Sequence, residues 1–297
     1  MEKWKCKNCL KYFQANRKAL PDKEELFLSF VFHKQNLKEL SESYHIRTKN
    51  VQKYFDEYVL KDKVHNPREV YLIVDGTYFG DAESPTAFCL VVFRDFKEKE
   101  DIWWKFCDVE TYDIYREGRL YLESLGYVIK GITADGLALI RNAFKGVPFQ
   151  MCLVHMERLI IRGTTKNPIL EAGKVLLAIS STLYTTDEYT LLSRVVKFKE
   201  MYTGFLNQKA INPLTGESWY MHKELRKAFT SLCTFLPHLF TYQKHKDMES
   251  TSNSLEARFR HIKKYVGVHN GLSLERKKKL ITAILINSSV MLDEEEW

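Results

Sequence analysis

No stretch of the sequence approaches the roughly 20 uninterrupted apolar residues that a membrane-spanning helix needs. The first residues, MEKWKCKNC, also lack the apolar core of a leader peptide, so a cytoplasmic location is expected. Six cysteines in 297 residues are too few for a disulfide scaffold. Cys89, Cys107, Cys152 and Cys233 stand singly among apolar residues and read as reduced core thiols, which leaves Cys6 and Cys9 as the one pair. No internal repeat and no low-complexity tract is present, and 45% hydrophobic content excludes wholesale disorder. What remains is a globular protein with room for more than one domain.

A net charge of +7 is modest, but it is unevenly placed. One basic cluster lies in the first twenty residues (Lys3, Lys5, Lys7, Lys11, Arg17, Lys18) and another between Arg258 and Lys279, while Asp293–Glu296 closes the chain with acid. Such clusters suit a polyanion, nucleic acid first, although a charge run can also be a solvated helix face. Residues 21–62 carry helical spacing at Leu26, Phe27 and Phe30, followed by NLKELSESY and KNVQKYFDEYVL around the break HIRT. This is a helix-turn-helix pattern, with Thr48 expected to cap the second helix and Lys49, Asn50, Gln52 and Lys53 expected to face DNA. Any three-helix bundle shares the pattern. The polar, proline-bearing residues 63–69 read as a linker.

From residue 70 the texture changes to strands. YLIVDGTYF, FCLVVFRD and DIWWKFCDV predict an antiparallel meander, and helix, strand, helix, strand follow through DIYREGRLYLESLGY, VIKGITADG, LALIRNAF and PFQMCLVH. The expected fold class is α/β: a ribonuclease H-like mixed sheet with flanking helices. Its first part spans 70–160, an all-helical insertion occupies 161–248, and the last part, 249–297, holds the helix SLEARFRHIKKYV and the acidic tail. In that helix Leu255, Phe259, Ile262 and Val266 form the stripe of a helix docked on a sheet.

Two of the strands end on acids, Asp75 and Asp135, each followed by glycine. If both belong to one sheet, the carboxylates converge and repel unless a divalent cation or a proton lies between them. Hard oxygen donors with room for water and phosphate oxygens describe a Mg²⁺ site. An isolated Asp-Gly is equally a turn or a helix N-cap. Cys152 and His155 stand in C-x-x-H spacing, which alone reads as a core thiol beside a polar residue at a helix start, since zinc needs four ligands. Asn253 and Glu256 share a helix face, where the plainest role of Glu256 is a salt bridge to Arg260.

Taken together, Asp75 in VDGTYFG, Asp135 in TADGLALIRNAF, the C-x-x-H of Cys152 and His155, and Glu256 in TSNSLEARF resemble the DDE transposases of the Mutator-like class, over residues 70 to 266. The resemblance implies a bacterial, nucleoid-associated insertion-sequence transposase. In it Asp75, Asp135 and Glu256 would hold two Mg²⁺ ions, with Mn²⁺ able to substitute, for in-line displacement at phosphorus. It also implies supporting roles for Cys152, His155 and Asn253, and a homodimer or larger assembly on double-stranded DNA, namely the element's terminal inverted repeats and the target. Arg258, Arg260, Lys263 and Lys264 would touch phosphates, and Trp219 resembles the aromatic that some relatives place near the cleavage site. Residues 1–20 resemble the second half of a zinc ribbon, but Cys6 and Cys9 are two ligands short of a tetrahedral Zn²⁺ site. Either an upstream part is missing or the pair is a remnant. The competing readings are a DNA-binding regulator or inactive derivative, and a nuclease of the same fold without strand transfer.

Overall fold

The computed structural model describes residues 4–9, 11–13, 22–33, 35–81, 83–269 and 271–287. Lys3, Arg17, Lys18 and the acidic Asp293–Glu296 named above lie outside them. The chain divides into a smaller unit, residues up to Lys61 with Lys264–Ile284, and a larger one built mainly from Asp62–Lys263.

In the smaller unit, β1 (Trp4–Lys5) and β2 (Tyr12–Phe13) pair antiparallel around the Cys6–Cys9 loop. Three helices follow, α1 (Lys23–Phe32), α2 (Leu37–Ser43) and α3 (Thr48–Glu57). Asp22 caps α1, and Asn36 with Glu39 forms a capping box on α2. The expected cap Thr48 is instead the first residue of α3: Arg47 holds the cap position, without a side-chain bond. Leu26, Phe27, Phe30, Leu40, Val51 and Phe55 are fully buried, with Phe55 ringed by Phe27 and Phe30 at 5.0 Å.

The larger unit opens with β3 (Glu69–Phe79), β4 (Phe88–Asp95) and β5 (Glu100–Cys107), the antiparallel meander. Helix α4 (Tyr112–Ser124), strand β6 (Val128–Ala134), helix α5 (Ala138–Ala143) and strand β7 (Phe149–Met151) complete it. The five-stranded sheet has the order β5-β4-β3-β6-β7, with β6 and β7 parallel to their neighbours, consistent with a ribonuclease H-like fold. Side chains alternate across a strand. Val70, Leu72 and Val74 therefore enter the core that also holds Tyr115, Ile140 and Met156, while Tyr71, Ile73 and Asp75 face the opposite side.

Helices α6 (Leu153–Thr164), α7 (Glu171–Ser181) and α8 (Glu188–Leu206) come next. The segment expected to be wholly helical then carries a hairpin, β8 (Lys209–Ile211) and β9 (Ser218–Tyr220). Asn212 and Gly216, at φ 71, turn the chain between the two strands, an arrangement the polar loop INPLTGES concealed. Trp219 lies on this hairpin, 52% exposed, and is not a core residue. Helix α9 (Lys223–Phe235) and the short α10 (Thr241–Lys244) follow. Leu176, Leu191, Phe198, Phe229 and Leu232 of these helices belong to the same apolar cluster as Val74 and Phe93 of the sheet.

The opposite face is covered by residues 245–263. Met248 fills the space beside Gly131, and the Thr133 hydroxyl donates to the Glu249 carbonyl at 2.6 Å. Helix α11 (Asn253–Val268) buries Leu255, Phe259 and Ile262 completely or nearly so, each stabilising by roughly 1.5–3 kcal/mol. Arg258 of α11 donates to Asp101 at 3.0 Å, and Arg94 donates to the other oxygen of Asp101 at 2.5 Å. In the smaller unit, helix α12 (Leu274–Ile286) brings Arg276 onto Asp56 in a two-pronged pair at 2.7 Å, and Lys279 donates to the last carbonyls of α3.

Candidate active site

Register brings the two aspartates together. Ile73 lies beside Thr133 and Val74 beside Ala134 in the parallel pair β3 and β6, so Asp75 and Asp135 come next in both chains. Neighbouring strands run about 4.8 Å apart. Asp75 is not at a strand end, as expected, but inside β3: the parallel pairing stops at Val74, while the antiparallel pairing with β4 continues through Asp75 opposite Val92. Burial, with the like charges of Asp135 and Glu110, pushes the Asp75 carboxyl up to about 7, against the pull of His155 and the Gly76 N–H. The Asp135 carboxyl is also raised by burial, opposed by the Leu137 N–H and by His155.

Gly76 lies inside β3 and serves no turn, whereas Gly136 sits in the bend where the Leu137 N–H donates to Asp135 Oδ1 at 3.1 Å. A Cβ on Gly76 would stand 2.7 Å from the Glu110 carboxylate, and one on Gly136 would stand 2.3 Å from the Phe235 ring. Both glycines admit a neighbour close to the acidic pair. Glu110, held by the hydroxyl of the buried Tyr115, belongs to the electrostatic surroundings of Asp75, yet no motif in the sequence marks it.

His155 links this pair to α11. Its Nδ1 shares the Ser252 hydroxyl at 3.4 Å, and its Nε2 stands 3.8 Å from Glu256 Oε1. The hydrogen bond with Cys152 raises the imidazole above its ordinary value, and the charges of Cys152, Asp75 and Asp135 add to it against burial. Cys152 accepts from Ser252 N at 3.2 Å and from Ser252 Oγ at 3.3 Å. Burial pushes that thiol up, but its bonds with His155 and Ser252 outweigh burial and leave it below the usual thiol range. The C-x-x-H pair thus fastens Ser252, a fully buried serine that the sequence reading missed, just ahead of α11. Asn253 is exposed at the first position of α11.

Glu256 is engaged elsewhere than expected. Its partner is not Arg260 but Arg158 of α6, whose two terminal nitrogens donate to the two carboxylate oxygens at 2.8 and 2.9 Å. Three-residue spacing after Cys152 and His155 was the signal that could have found Arg158. Two half-buried, like-charged aspartates fit a hard divalent cation. Among the described residues no group of three or more His, Cys, Asp or Glu is arranged to hold a metal, and Glu256 is paired with the Arg158 guanidinium.

Of the residues expected to meet DNA, Lys49, Asn50 and Lys53 are exposed on α3 and Gln52 is half-buried. Arg260, Lys263 and Lys264 are exposed, with Lys263 over the Phe79 ring at 5.5 Å. Arg258 requires correction: its side chain is 9% exposed and paired with Asp101, so it clamps α11 and does not project toward a phosphate. The Cys6 thiol is lowered by backbone N–H groups of Cys9 and Asn8 and by the Cys9 side chain, and among the described residues no further ligand joins the pair. Cys233, expected in the core, is exposed.

No family model and no curated protein matches the chain. Among solved structures it is similar to the Drosophila P element transposase strand transfer complex, with a TM-score of 0.43 and 10% identity over 94% of each chain. It is also similar to a simian T-cell lymphotropic virus intasome in complex with the PP2A regulatory subunit B56 gamma, with a TM-score of 0.24 and 12% identity over 68% of this chain and 71% of that one.

Proposed function

We propose that the chain is a DNA transposase of the DDE kind, of the Mutator-like class, which cuts at element ends and joins them to a target. The observation that carries this reading is the juxtaposition of Asp75 and Asp135 by the parallel register of β3 and β6, both half-buried and both raised in pKa. A buried carboxylate pair costs stability unless a cation is bound there, so its presence argues for use. A bound Mg²⁺ would supply electrophilic assistance at the scissile phosphate and lower the pKa of an attacking hydroxyl or water.

Asp75 and Asp135 are the residues that would hold that ion, joined by Glu256 once it leaves Arg158. Cys152 and His155 hold Ser252 and so fix the origin of the helix that bears Glu256. Exposed Lys49, Asn50 and Lys53 on α3, with Gln52 at its flank, are assigned to the element ends, and Arg260, Lys263 and Lys264 to phosphates. Double-stranded DNA with inverted terminal repeats is the proposed partner, bound by two or more copies of the chain.

The test is cleavage and joining of a supercoiled plasmid that carries candidate element ends, in Mg²⁺ or Mn²⁺. Asp75→Asn and Asp135→Asn each remove an interaction worth several kcal/mol, so cleavage should fall roughly a hundredfold or more. DNA binding should persist in a gel-shift assay. Both variants cutting at the parental rate would refute the assignment, and cutting without joining would make the chain a nuclease.

A further inference from the structure

Helix α6 and the start of α11 meet along two rungs. In the first, Cys152 and His155 hold Ser252; in the second, Arg158 grips both oxygens of Glu256. Cys152, His155 and Arg158 recur at three-residue intervals, and Ser252 and Glu256 are four apart, so each set lies on one helix face. The rungs differ in burial. Ser252 is fully buried, whereas the Arg158 side chain is 52% exposed and that of Glu256 24%. An ion pair so exposed adds little to stability. It does, however, neutralise a carboxylate 3.8 Å from His155, the imidazole that also feels the charges of Asp75 and Asp135.

We propose that Arg158 is a positioning residue that stands in for a divalent cation at Glu256. The guanidinium holds the carboxylate beside His155 while no cation is bound, and the pair opens when a cation is taken up by Asp75, Asp135 and Glu256. The inference rests on the metal-dependent reading above. A carboxylate held at both oxygens by a guanidinium gives less of its charge to a second cation, so the guanidinium and the cation compete for it. Weakness of an exposed pair is what makes the exchange feasible: a strongly buried one would not yield.

The experiment is calorimetric titration of the full chain with Mn²⁺ alone. Arg158→Gln should bind Mn²⁺ about two- to fivefold tighter than the parent, the range that release of an exposed ion pair allows. In an Glu256→Gln background the same substitution should give no gain, because the competition is gone. Unchanged or weaker binding by Arg158→Gln overturns the proposal, as does an equal gain in the Glu256→Gln background, which would reflect a general field effect. Arg158→Lys, which keeps the charge but loses the two-pronged grip, should show a smaller gain in the same direction, and its absence likewise counts against the idea. Asp75→Asn separates the two readings. If it binds Mn²⁺ as the parent does, the metal site itself is wrong; if it loses binding while Arg158→Gln gains nothing, only the stand-in role fails.

Discussion

Asp75 carries a charge that its surroundings resist. Its folded pKa of about 7 lies above the unfolded value near 3.9. A group raised in this way contributes stability that is complete below about pH 4 and is lost as the pH rises through 7. In melts without divalent cation, Asp75→Asn should therefore gain thermal stability on the parent at pH 8 but not at pH 4.5. An equal difference at both pH values would contradict the burial argument. At this scale the sequence was most informative where an acid followed an apolar run, as at Asp75 and Asp135. It was silent on Glu110, Ser252 and Arg158, because each acts through a contact made only when distant segments meet, 35 residues apart for Asp75 and Glu110 against nearly 100 for Arg158 and Glu256, and no local pattern encodes such a meeting.

Among the elements, α11 depends on a charge cluster as much as on its apolar stripe. Asp101 is fully buried and accepts from Arg94 and Arg258, neither of which is more than 9% exposed at the side chain. Asp101→Ala leaves two buried guanidinium groups without that acceptor and should cost about 3–5 kcal/mol, measurable by urea unfolding of the variant against the parent. A loss below 1 kcal/mol would show that water reaches the cluster. Periodicity revealed the stripe Leu255, Phe259, Ile262, and composition revealed every strand of the large sheet, because apolar, β-branched runs have few other uses. It failed at boundaries set by pairing: β3 outlasts Asp75 because β4 continues to bond it, and β8 and β9 exist only as each other's partners. Of the two Asp-Gly steps, which read as turns, Asp135–Gly136 is one, with the Leu137 N–H on Asp135 Oδ1, while Asp75–Gly76 lies inside β3 and its glycine answers to Glu110.

Across the whole molecule, the distribution of charge separates groups free to meet a polyanion from groups already engaged. Arg258, Arg276 and Lys279, all counted in the basic stretch of the sequence, are bound within their own units. Lys49 and Lys53 remain exposed on α3, Lys53 with Glu57 as a loose partner at 3.5 Å. If both meet phosphates, a Lys49→Ala, Lys53→Ala variant should flatten the slope of log affinity against log salt by about 1.8, as read by fluorescence anisotropy. An unaltered slope would remove α3 from the DNA surface.

The apolar cluster that joins β3 and β4 to α7, α8 and α9 has a further consequence. The helices between Asp135 and Glu256 are not an appendage that could be trimmed away: excision would strip one wall from the sheet that aligns Asp75 with Asp135, and that alignment would go with it.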